Sequence, residues 1–152
     1  MKNFTDDLNN LTPFHKSNLR KLADYLIALP IDYQNFDMKR WLFVPYAVID
    51  QNEPSIVHSL MQHHCNTVAC AVGHGPLAGI KPIRKHEDWA NYANRCFGDL
   101  DLAFTWLFNA EWSFTDNSPK GAGKRILHFL EHGVPHDYLD QMRGKAPLCY
   151  ID

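Results

Sequence analysis

Between His58 and His74 the chain gathers four histidines and two cysteines, His58, His63, His64, Cys65, Cys70 and His74. Imidazole and thiolate are the donors zinc prefers in proteins, and a closed site needs four of them about 2.0 to 2.3 Å from one point. If residues 67–75 are helical, Cys70 and His74 stand one turn apart on a shared face, while Cys65 with His63 or His64 supplies donors from the preceding turn. The competing reading is packing. Four residues separate the two cysteines, no second ligand pair stands at a familiar zinc interval, and small thiols commonly fill cores as apolar groups. No cofactor is the reading adopted for the segment. A zinc ion on His63, Cys65, Cys70 and His74 is its alternative.

Cys65 suggests a second chemistry. At a helix N-terminus the free N–H groups and the helix dipole stabilise a thiolate, and a neighbouring imidazolium adds to the effect. A thiol hydrolase also needs a general base and a group to orient it, for which His128, His132 or His136 with Asp137 are eligible by type. In a chain with nine histidines that eligibility is cheap. A redox pair would need Cys-x-x-Cys spacing, which is missing. Gly121-Ala122-Gly123-Lys124 fails as a phosphate loop, because Ser118 stands where glycine is required and Arg125 where Ser or Thr is required. Two small residues there are better explained by close approach to a neighbouring helix, with Lys124 and Arg125 facing water. No complete catalytic set is legible, so the sequence leans towards a binding protein rather than an enzyme.

A binding surface has its own candidates. Phe104, Trp106, Phe108, Trp112 and Phe114 form a dense aromatic run. Phe104 and Phe108 fall on a helical stripe and Trp106 points elsewhere. Trp112 and Phe114 either close the core or face a partner, beside the small basic cluster of Arg84 and Lys85 in the Lys81–His86 loop. The partner this implies is a cellular or host protein.

The elements that must hold these residues are mostly helical. Thr12-Pro13 is a cap followed by proline at the first helical position, and Leu19, Leu22, Ala23, Leu26 and Ile27 form one stripe that stops near Pro30. Trp89, Tyr92, Ala93, Cys96 and Phe97 repeat the stripe before Gly98. Leu100, Ala103, Phe104, Leu107 and Phe108 follow after a sharp turn. Ser118-Pro119 starts a helix carrying Ala122, Ile126, Phe129 and Leu130, which Gly133 ends. Short helices are expected over Asp37–Leu42, from Ser55 to Gln62, within 67–75, and over Asp137–Met142. The fold class is therefore all-α with at most minor β, five to seven helices in one domain over residues 1–152, with loose termini at 1–11 and 144–152.

Composition narrows the function. The 152 residues are 45% hydrophobic and 21% charged, a globular mixture. Fifteen basic against seventeen acidic side chains leave a formal charge of −2. Such a chain has no field to gather nucleic acid or an acidic membrane. Residues 1–7 lack the apolar core of a secretory signal, and no apolar run approaches a membrane span. Four scattered cysteines do not make a disulfide framework. A soluble, cytoplasmic protein with reduced thiols is the expectation.

Leu22-Ala23, Leu26 and Pro30, Phe36-Asp37-Met38, the run from Cys65 through His74, Phe97-Gly98, and Arg125-Ile126 with Gly133 together resemble a loose family of uncharacterised bacterial and bacteriophage proteins. Its central motif is Cys-Gly-Thr-x-x-Cys-x-x-Gly, and Asn66 stands here in place of the family's glycine. The resemblance implies a cytoplasmic or phage-encoded protein, one that modulates a host protein if phage-encoded. It carries over no catalytic residue.

Overall fold

The computed structural model describes residues 6–42, 53–57, 61, 68–82, 87–108, 110 and 114–151. Among these the fold is all-α. Its helices are α1 (Asp6–Asn9), α2 (Pro13–Ala28), α3 (Trp89–Phe97), α4 (Leu102–Phe108), α5 (Pro119–His132) and α6 (Tyr138–Met142). An isolated parallel bridge joins Phe36 and Ala69. No helix of the described residues is long and apolar enough to cross a membrane.

α2 is the central element, and it forms where the stripe predicts. The Thr12 hydroxyl accepts the His15 N–H at 3.2 Å, and the His15 ring accepts the Thr12 N–H in return. Both early orphan donors are thereby satisfied. Leu19, Leu22, Ala23 and Leu26 have no solvent exposure. α2 packs on α5 and, more lightly, on α3. Gly123 makes the first contact possible, since a Cβ there would meet the Ala23 carbonyl oxygen at 2.8 Å and Ile27 Cγ1 at 2.7 Å. The second contact is fixed by buried Asn18, whose Nδ2 donates to the Cys96 carbonyl at 3.0 Å. α3 buries the predicted stripe of Trp89, Tyr92, Ala93, Cys96 and Phe97. It ends at Gly98, where φ is 89°.

Four expectations need correction. Asp37–Leu42 is not a helix but a turn, in which the Asp37 carboxylate accepts the Lys39 N–H at 2.9 Å. Instead of continuing as a helix the segment pairs across the chain: Asp37 N–H donates to the Ala69 carbonyl at 3.0 Å, and the Arg40 carbonyl accepts the Cys70 N–H at 2.7 Å. The helix expected within 67–75 shrinks to a 3₁₀ turn at Val72–His74, with the Ala69 carbonyl given to Asp37 and the Gly73 N–H to Cys70 Sγ. Trp106 does not point away from the core: it is 1% exposed, as α4 is packed on more than one side.

Arg125 is the largest departure. Expected in water, it has no exposure at all. Its guanidinium donates from Nε and Nη2 to the Leu107 carbonyl at 3.3 and 3.0 Å. It also donates to the Asp116 carbonyl at 2.9 Å, to Asn117 Oδ1 at 3.0 Å and to the Tyr150 hydroxyl at 3.1 Å. A planar fork of five donors fits this ring of oxygens as no other side chain would. Near the two ends, Asp7 is 5% exposed and Tyr150 likewise 5%, and the Asp7 carboxylate accepts the Ala103 N–H at 2.8 Å.

Replacing Arg125 with Met leaves two backbone carbonyls without their buried donor. Urea denaturation is expected to show a loss of about 3 kcal/mol or more, at 1–3 kcal/mol per orphaned group. The exposed Lys120→Met control on the same helix should stay within about 0.5 kcal/mol.

Candidate functional site

Residues 33–41 lie against the turn at 69–75, and a buried imidazole joins them. His74 is fully buried between the rings of Tyr33 and Phe36, with centroids at 5.5 and 5.4 Å. Its Nδ1 lies 2.8 Å from the Cys70 carbonyl oxygen, and its Nε2 lies 2.8 Å from the Tyr33 hydroxyl. A carbonyl only accepts, so Nδ1 carries the proton. Burial holds the His74 pKa down at about 4, which leaves the ring neutral and Nε2 the acceptor of the Tyr33 O–H. Burial also lifts the Tyr33 phenol to about 12, keeping that donor in place.

Both ring nitrogens are thus engaged, and Cys70 is equally committed. Burial pushes its thiol up to about 11, and Sγ takes the Gly73 N–H at 3.4 Å. Cys70 and His74 are brought together through the Cys70 carbonyl, not through a shared point where sulfur and nitrogen meet. No group of three His, Cys, Asp or Glu side chains converges as metal ligands among the described residues. His63 and Cys65, the other candidates, lie outside the described residues, as does the thiol-nucleophile reading that depends on Cys65.

The same junction builds a cleft. The Trp41 carbonyl packs so closely over Gly73 that no Cβ would fit there. Met38, Lys39, Arg40 and Trp41 form one wall of the cleft, with Cys70 of the turn also lining it. Phe104, Thr105 and Phe108 of α4, with Ala110, form the opposite side, and the hollow holds about 510 Å³. Sites for small ligands and side chains commonly fall at roughly 300–1,000 Å³. A second hollow of about 260 Å³ shares Trp41, Phe104 and Phe108 with the first and adds Ala93, Phe97 and Asp99.

The rings are braced. Trp41 stacks on buried Trp89 at 6.2 Å with 4° between planes, and Phe104 meets Phe108 edge-on at 5.3 Å. Lys39 and Arg40 are exposed at the rim.

Of the residues proposed for binding, Trp112, Arg84 and Lys85 lie outside the described residues. Phe114 is 62% exposed, with its ring over Gly144, and is not among those lining the cleft. Sequence reasoning missed Trp41. Its one signal was a tryptophan directly after Lys39-Arg40 in a stretch without clean periodicity. Comparison with protein-family models, curated proteins and solved structures finds no match to this chain.

The His74 geometry carries a pH dependence with a definite sign. Below pH 6.5 the unfolded chain's imidazole takes a proton that the folded one refuses until about pH 4. The unfolded state then binds more protons, so stability falls as pH drops through that window. The loss approaches about 3 kcal/mol at the acid end. Urea denaturation between pH 7 and 4 should show this slope in the wild type and lose that share of it in His74→Gln. Equal slopes in the two proteins would contradict the assignment.

Proposed function

We propose that this chain is a binding module that holds a segment of a partner protein in the Trp41–Phe104 cleft. Two adjoining hollows divided by shared rings suit two neighbouring apolar side chains of one segment better than one compact molecule. Aromatic anchors braced from behind are the kind of surface on which binding energy concentrates. Lys39 and Arg40 at the rim favour an acidic residue beside the anchor, giving charge complementarity where the net charge of the chain gives none. The observation that carries the reading is this aromatic cleft with a basic edge, backed by a fixed core. The free thiols of Cys70, Cys96 and Cys149 support a reducing, cytoplasmic setting. The resemblance of the central motif favours a bacterial or phage source, and with it a host protein as partner.

A panel of short synthetic peptides provides the test, each with an acidic residue next to Trp, Phe or Leu and a matched control carrying lysine instead. Acidic peptides should bind with dissociation constants in the micromolar range, and amide shift changes should fall on Met38–Trp41 and Leu102–Phe108. Phe104→Ala should weaken binding about tenfold, equivalent to about 1.4 kcal/mol. Equal binding of the lysine controls, shift changes confined to other surfaces, or no binding across the panel would overturn the proposal.

A further inference from the structure

Away from the cleft, the C-terminal segment brings a cysteine onto α5. Cys149 Sγ lies 3.4 Å from His128 Nε2, within reach of a thiol–imidazole hydrogen bond. Cys149 is exposed, whereas Cys70 and Cys96 are buried. The pair is held from three sides. The His128 ring stands edge-on to buried Trp106 at 5.9 Å, and Trp106 in turn meets Tyr150, the residue after Cys149, at 5.9 Å. The His132 ring sits 4.7 Å from that of His128. Gln141, anchored by the Asp137 carboxylate at 2.7 Å, accepts the Cys149 N–H at 3.5 Å and fixes the backbone that carries the thiol.

We propose that Cys149 is a reactive thiol, served by His128 as general base, that exchanges with low-molecular-weight disulfides. Burial raises the thiol pKa and lowers that of His128, with His132 adding to the latter, so the resting pair is neutral. The thiolate therefore forms only transiently: the S–H proton passes to His128 Nε2, and the thiolate so made is the attacking group. Its Sγ then bonds to one sulfur of the incoming disulfide. The S–S bond of the reagent breaks, and its second sulfur leaves as a thiolate that takes this proton back. Cys149 is oxidised to a mixed disulfide, and half of the reagent is reduced to a free thiol. The chain thereby acquires a reversible mark beside α5, independent of what the cleft binds.

Oxidised glutathione is the probe, with acid-quenched mass spectrometry of the intact protein and mapping to the peptide that follows Lys145. The adduct should form on Cys149, disappear in Cys149→Ser and reverse with dithiothreitol. In His128→Gln it should form about a hundredfold more slowly, the low end of general-base contributions. Native Cys149 should also react faster, by about tenfold, than the same cysteine in urea-unfolded wild-type protein, a comparison that needs no variant to fold. An unchanged rate in folded His128→Gln, a native rate no greater than the unfolded one, or modification confined to another cysteine would overturn the proposal.

Discussion

A helix of seven residues has too few internal hydrogen bonds to hold its shape in water. Yet α4, at Leu102–Phe108, carries the two phenylalanine rings on which the cleft rests. What holds it is a pair of charges brought to its ends by distant parts of the chain. The Asp7 carboxylate takes an N–H at the start, where the helix dipole favours an anion. The Arg125 guanidinium donates to the Leu107 carbonyl at the far end, where the dipole favours a cation. Both side chains are almost wholly removed from solvent, so the interactions are little screened by salt. Arg125 reaches further, to Asp116, Asn117 and Tyr150, and so ties the approach to α5 and the C-terminal segment to the same point.

The opposite wall depends on a different device. Residues 33–41 have little regular structure of their own, and the Asn35 carbonyl, the Asp37 N–H and the Arg40 carbonyl pair with Ala69 and Cys70 of the turn. The neutral His74 ring closes that junction from inside. Its worth lies in having a partner for each nitrogen, because a buried polar atom without one costs more than the bond itself contributes. The residues that looked most like ligands from their spacing are thus among those that shape the cleft.

Much of this frame was legible in the sequence, and the reasons for success and failure are physical. α2, α3 and α5 announce themselves through local rules: Thr12-Pro13 and Ser118-Pro119 at their starts, Gly98 and Gly133 at their ends, and a 3.6-residue stripe between. Local signals failed where the partner is remote. Nothing around Arg125 reveals that its acceptors are backbone carbonyls, which have no residue type, and a basic residue beside Lys124 reads as solvated. Asp7 and Ala103 are 96 positions apart. Trp106 was misplaced because a single stripe assumes one buried face, and α4 has more than one. The cleft was invisible for the same reason, since Trp41 and Phe104 meet only after both walls are pinned. Cys149 and His128 likewise meet across two elements that neither motif nor period connects.

The account rests on α4 being a fixed wall and not a frayed turn. Amide hydrogen exchange of the native protein measures this directly. If Asp7 and Arg125 hold the helix, the Ala103 amide and those of the last turn of α4 should exchange as slowly as the interior of α2, through unfolding of the whole molecule. Exchange of these amides at rates typical of an open loop, while α2 stays protected, would contradict it.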